Sequence, residues 1–347
     1  MSRAASSVSS ADSDMAVRAA WMHFAGGYTQ AEVAEKLGLS RLKAHRLITR
    51  ANREGMVKVY VDGDVSECLQ LESELSNRFE LDYCEVVPDF DNEALPLQAL
   101  GIAGGQYIHR LLDGAEVRSV GIGHGRTLAS CVEHIPRTRN ARLGSDRTGK
   151  SCSIKSRSDK PRSDRSRSDK SGIEFVSLLG GFSEKFAANP HDVIHRLAER
   201  TGAQAYVMPV PFLANTIEDR DVLMEQRGLK QVIGKARNTP LKIVGIGAVA
   251  HDSSLVATGW VDESEFTAIS AAGGVGELLG HFFTADGNPT YTELSERTMG
   301  LSLEDLRCSR IVAIAGGTSK SAAITAVLKS QLLGGLITDE RTARMLV

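Results

Sequence analysis

Beyond Leu81 the chain repeats one arrangement: a short apolar run, usually ending in glycine, then a stretch with helical periodicity. CEVVP leads to LPLQALGIAGGQYIHRLLDG, EVRSVGIG to GRTLASCVEHI, IEFVSLLG to PHDVIHRLAERTG, and RIVAIAGG to TSKSAAITAVLKSQ, with AQAYVMPV and LKIVGIG as further strand-like runs. This alternation restricts the fold more than any other feature, and it predicts a Rossmann-like α/β domain around a mostly parallel sheet. In such sheets ligands bind beyond the carboxyl ends of the strands, where glycine turns and helix N-termini gather.

Three stretches suit that position: Gly121–Thr127 (GIGHGRT), Gly245–Gly247 (GIG) and Gly316–Lys320 (GGTSK). Singly, each glycine can serve close packing alone. Together they bring Thr127 and Thr318 hydroxyls near expected helix starts, with Arg126 and Lys320 as the cations a phosphate favours. Glu277, in AAGGVGELLGHFF, offers a carboxylate to sugar hydroxyls; its alternative is a salt-bridged surface glutamate.

One stretch matches a phosphate-binding pattern outright. Gly144–Ser151 reads GSDRTGKS, the G-x-x-x-x-G-K-[ST] of nucleotide hydrolases. That loop works only between a buried strand and the start of a helix. Here RTRNARL precedes it and CSIKSRSDKPRSDRSRSDKSG follows, so neither flank supplies the element required. Within this region R-S-D-[KR] recurs at 157–160, 162–165 and 167–170. Twelve Lys or Arg face four Asp between Arg137 and Gly172, leaving the rest of the chain at −10 against a total of −2. Residues 137–172 therefore read as a low-complexity insertion, a solvated loop by default and a basic arm for nucleic acid as the sharper alternative.

The N-terminal part has another texture. MAVRAAWMHFAGG places Met15, Val17, Ala20, Trp21 and Phe24 near one expected helical face. In YTQAEVAEKLGLSRLKAHRLITRANREG, Thr29 and Glu32 have capping-box spacing, Gly38 permits a left-handed turn, and Ser40 caps a second helix. That second helix carries Arg41, Lys43, His45, Arg46, Arg50 and Arg53 around an expected inward face of Leu42, Leu47, Ile48 and Ala51. The arrangement resembles a bacterial helix-turn-helix, whose second helix enters the major groove by its first residues. On that reading Ser40, Arg41, Lys43, Ala44, His45 and Arg46 face bases or phosphates, and Tyr28, Thr29 and Gln30 approach the DNA backbone. MVKVYV at 56–61 alternates like a wing strand. Cys68, Leu71, Leu75 and Phe79 form a seam that suits either a linker helix packing on its own chain or a dimer contact.

The domain plan is thus a leader at 1–13, a helix-turn-helix domain at 14–62, a linker helix at 63–82 and an effector domain at 83–347 interrupted at 137–172. Five cysteines without a C-x-x-C pair argue against a disulfide framework or zinc site, which suits a reducing cytoplasm. No apolar run approaches the roughly eighteen residues of a membrane span. No metal or cofactor is expected.

Taken in order, the helix-turn-helix, GIGHGRT, NPHDVIHRLAER, MPVPFL, VGELLGHFFTADG and AGGTSK resemble the SorC family of sugar-responsive bacterial regulators, most narrowly its repressors of erythritol catabolic operons. The resemblance implies an effector domain related to ribose-phosphate isomerase and glucosamine-phosphate deaminase, and a homo-oligomer, dimer or tetramer, on operator DNA. It implies that Gly125, Arg126 and Thr127 line a sugar, polyol or sugar-phosphate effector, that Glu277 contacts its hydroxyls, and that Thr318 and Lys320 sit near a phosphate end. Gly123, Gly247 and Gly317 join them as effector-binding positions. The insertion departs from the family pattern and is expected to lie beside this site. An isomerase-like enzyme using Asp252, Glu277 or His281 as acid and base is the rival reading.

Overall fold

The computed structural model describes residues 13–53, 56–57, 66–89, 95–114, 117–136, 172–181, 193–251, 256 and 261–347. The chain divides into two compact units, 1–64 and 65–347. The wing stretch beyond Val57, the GSDRTGKS match and Asp252 lie outside the described residues.

The smaller unit starts with a helix over 13–20 (α1), which runs into a π-helical turn at Trp21–Ala25. It continues with α2 (Gln30–Lys36) and α3 (Arg41–Arg53). The capping box is present: Glu32 N–H donates to the Thr29 hydroxyl at 3.3 Å, and Thr29 N–H donates to Glu32 Oε2 at 2.8 Å. Gly38 turns the chain with φ +64°, Leu39 N–H closes on the Ala34 carbonyl at 2.8 Å, and the Ser40 hydroxyl accepts from Lys43 N–H. The core consists of Ala16, Ala19, Ala20, Val33, Ala34, Ala44, Leu47, Ile48 and Ala51. Two expected faces need correction. Val17, Trp21 and Phe24 point to solvent, at 43%, 65% and 47% exposure, and Leu42 is 60% exposed while Ala44 is fully buried. Spacing explains the second case, since 44, 47, 48 and 51 fall on one stripe of a 3.6-residue helix and position 42 does not. Ala44 therefore cannot face DNA.

The larger unit is a three-layer sandwich. Seven parallel strands lie in the order β1 (Tyr83–Val87), β11 (Gly335–Asp339), β10 (Arg310–Ile314), β5 (Leu241–Val244), β2 (Ser119–Ile122), β3 (Glu174–Gly181), β4 (Gln204–Pro211). Helices α5 (Leu97–Asp113), α6 (Arg126–His134) and α7 (Val193–Thr201) cover one face. On the other lie α4 (Ser66–Phe79) and α9 (Arg227–Arg237), which follows α8 (Ile217–Met224). Strand residues alternate between the two cores as the pleat dictates: Ile311 and Ala313 go to one, Val312 and Ile314 to the other. Cys68, Leu71 and Leu75 are buried in the unit's own core, which resolves the seam as an intrachain contact.

A second, antiparallel sheet joins β6 (Gly247–Ala248), β7 (Gly274–Leu278), β8 (His281–Thr284) and β9 (Pro289–Thr290). Around it stand α10 (Glu263–Ala271), α11 (Glu293–Arg297) and α12 (Leu303–Arg307), and the chain closes with α13 (Ser321–Lys329), β11 and α14 (Glu340–Leu346). Neither the small sheet nor β11 is among the strands read from the sequence.

Candidate functional site

Three strands that are neighbours in the sheet, β10, β5 and β2, end in the three glycine turns. Because all run parallel, their carboxyl ends share one pole, and the expected convergence follows from the strand order. Gly123 N–H donates to the Ile243 carbonyl at 2.9 Å, tying the first turn to β5. Gly125 and Gly317 adopt φ +125° and +101°, a region that excludes ordinary side chains, and each opens the helical turn that follows it. Thr127 is buried, whereas Arg126 and Thr318 are exposed. Thr318–Lys320 form a single 3-10 turn before α13 begins at Ser321.

Glu277, on β7, reaches this pole from the small sheet. Its half-buried carboxylate accepts from Gly280 N–H at 2.6 Å and lies against Gly247, where a Cβ would strike Oε2. Burial holds its pKa above the usual carboxylate value, with the Gly280 N–H and the Lys320 charge opposing. Lys320 donates from Nζ to the Ile246 carbonyl at 3.1 Å, linking the third turn to the second. Burial, aided by the Arg126 charge, lowers its pKa, while Glu277 acts the other way. One carboxylate and two cations thus meet on a bed of glycine backbone, a set suited to a ligand with hydroxyls at one end and negative charge at the other.

Sequence reasoning missed Asp339. Its carboxylate, 1% exposed at the end of β11, accepts from Gly317 N–H at 3.0 Å from beneath the loop. The available signal was TDERT, an acidic N-cap directly after a short β-branched run.

His281 stands apart from Glu277. In the β7–β8 pairing Glu277 faces Phe282 and Leu278 faces His281, so the alternation of the pleat sends the two side chains to opposite sides of the sheet. His281 instead bonds the Leu301 carbonyl through Nε2 at 2.8 Å.

In the smaller unit Arg41, Lys43, His45 and Arg46 are exposed along the first turns of α3. Gln30 Oε1 lies 3.0 Å from His45 Nδ1, binding the start of α2 to that face. Tyr28 is half-buried, with Lys36 Nζ 4.8 Å above its ring, and Thr29 is held in its capping box. Leu42 joins the exposed row between Arg41 and Lys43.

The insertion is attached elsewhere than expected. Helix α6 starts at the carboxyl pole and runs back along β2, and Ile135 at its end accepts from Arg200 near the start of β4. Gly172 and Ile173 lead directly into β3. Both described flanks therefore stand at the amino ends of the strands, opposite the glycine turns.

Residues 63–144 and 163–347 match the family described as "Putative sugar-binding domain", and the match skips 145–162 within the low-complexity segment. The erythritol catabolism regulatory protein EryD of Brucella abortus is 49% identical over 337 residues, 97% of each chain. The transcriptional regulator LsrR of Klebsiella pneumoniae is 28% identical over 338 residues, covering 96% of this chain and 93% of LsrR. Among solved structures, the full-length sorbitol operon regulator SorC from Klebsiella pneumoniae has the same fold, with a TM-score of 0.65 at 24% identity over 96% of this chain and 99% of that one. With the match spanning most of the chain and a relative identical at about half its positions, the chain belongs to the sugar-binding domain family and is a transcriptional regulator.

Proposed function

We propose that this chain represses a polyol or sugar catabolic operon in the cytoplasm, as a dimer or tetramer, and that erythritol or its phosphate monoester relieves the repression. The observation that carries the effector site is the meeting of three glycine turns from adjacent parallel strands with Glu277 and Lys320. Erythritol comes from the 49% identical EryD. Glu277 takes hydroxyls. Gly123, Gly125, Thr127, Gly247 and Gly317 give backbone approach, and Arg126, Thr318 and Lys320 hold a phosphate.

DNA is read by the start of α3. Ser40, Arg41, Lys43, His45 and Arg46 meet base edges or phosphates, with Tyr28, Thr29 and Gln30 on the backbone. The exposed Leu42 replaces Ala44 in that row, and an apolar side chain there fits a thymine methyl. The opposed faces of Glu277 and His281 support a regulator over an isomerase, since they leave that acid/base pair split across the sheet.

Operator binding followed by fluorescence anisotropy tests the proposal. Arg46→Ala should weaken binding by about 1–3 kcal/mol on operator and much less on random DNA, with effector binding unchanged. Turnover of a sugar phosphate by the pure protein, or operator binding indifferent to erythritol and to its phosphate, would overturn it.

A further inference from the structure

The loop Gly316–Lys320 and the last helix share one buried carboxylate. Asp339 Oδ2 accepts from Gly317 N–H and from the Thr342 hydroxyl at 3.0 and 2.6 Å, and Oδ1 accepts from Thr342 N–H at 3.0 Å as the N-cap of α14. The Thr342 hydroxyl also accepts from Gly317 N–H at 2.8 Å. A Cβ at Gly316 would collide with the same carboxylate. Helix α14 in turn lies on α4, where Ala343 and Leu346 share a core with Cys68, Leu71 and Leu75. Arg344 Nε and a terminal nitrogen donate to Glu67 Oε1 at 3.0 and 2.7 Å. Helix α4 opens the larger unit, directly after the helix-turn-helix unit in the chain.

We propose that Asp339 and Thr342 are positioning residues for the effector loop, and that α14 carries the state of that loop to α4 through the Arg344–Glu67 pair. The inference rests on the effector site described above. A ligand that draws the Gly317–Thr318 backbone toward itself must alter the Gly317 N–H bond to Asp339. Because that carboxylate also caps α14, the disturbance enters the helix at its first turn. A close-packed helix answers by shifting as a unit rather than by deforming. At its far end, Arg344 and Glu67 are half-exposed, so the pair adds little to stability and can be cut without unfolding the chain.

The test uses the full chain, erythritol phosphate monoester as probe, and operator duplex selected from random DNA. Glu67→Ala and Arg344→Ala should bind probe and operator as the parent does, yet show an effector-induced change in operator Kd about threefold smaller or less. Thr342→Val should bind the probe about tenfold more weakly, while Thr342→Ser, which keeps the hydroxyl, should match the parent. A parental effector response in both alanine variants overturns the link to α4. Parental probe binding by Thr342→Val overturns the positioning role. A parent that ignores the probe overturns the site itself, and the link with it.

Discussion

GSDRTGKS at Gly144–Ser151 and GGTSK at Gly316–Lys320 are alike in composition and opposite in setting. The first matches a phosphate-loop pattern letter by letter; the second matches none. Yet GGTSK leaves β10 at the carboxyl pole, is bonded from beneath by Asp339 and Thr342, and sends Lys320 across to the Ile246 carbonyl. The segment that contains GSDRTGKS follows the end of α6 and precedes β3, and its described flanks, Pro136 and Gly172, stand at the amino pole. A glycine loop earns an anion through the strand that delivers it and the helical turn that follows, and letters alone carry neither.

The sharpest way to break this contrast is Lys320→Ala. A charge-assisted contact contributes roughly 1.5–3 kcal/mol, so a phosphorylated effector should bind about ten- to a hundredfold more weakly, with operator binding in its absence unchanged. Lys150→Ala, in the matching motif, should change neither. Titration calorimetry with nucleotide and with sugar phosphate separates the two, and a nucleotide response lost in Lys150→Ala would reverse the assignment.

A second lysine sharpens the contrast between the poles. Lys242, wholly buried near the start of β5, donates to the Arg237 and Thr239 carbonyls and to Ser309, so its ammonium serves the fold. Lys242→Met should cost about 1–3 kcal/mol of stability by leaving those acceptors unpaired, and should leave effector binding alone. Burial lowers the Lys242 pKa to about 8. Between that value and the ordinary lysine range the unfolded chain holds a proton that the folded chain has released. This group therefore makes the parent more stable as pH rises through that window, a slope the variant should lack in denaturant titrations.

The lowered pKa of Lys320 gives a smaller effect, now on binding. As pH rises through it, the ammonium is lost while an ordinary lysine is still charged. Affinity for a phosphate monoester should then fall on the alkaline side, and affinity for a neutral polyol should not. Equal pH profiles for the two would remove Lys320 from the phosphate end.

The smallest effect is expected from deleting 144–170. Closing a loop costs about 0.6 kcal/mol per doubling of its length, so stability should move by about 1 kcal/mol or less, with operator binding and effector response retained. A large loss of effector affinity would tie the amino-pole connection to the site.

The parallel strands and glycine turns were legible because apolar runs stopped by glycine follow from burying a strand on both faces and turning sharply at its end. The capping box of Thr29 and Glu32 was legible because it is local. Asp339 was not, since its partner Gly317 lies 22 residues away and meets it only through the β10–β11 pairing. The faces of α1 and α3 were misjudged for a different reason. Leu42, Trp21 and Phe24 carry far more apolar surface than alanine, but these helices pack closely through Ala16, Ala19, Ala34, Ala44 and Ala51, and large side chains would hold them apart.

The shared direction of the seven strands has a practical corollary. Helix-to-strand returns into the seven-strand sheet lie at the pole away from the glycine turns, so the molecule offers a built-in splice point between Pro136 and Gly172. An affinity handle or a fluorescent domain grafted there should travel as passive cargo. The same graft into one of the three glycine turns would sit among Gly125, Gly247 and Gly317 themselves, where a reporter of ligand occupancy would have to be built.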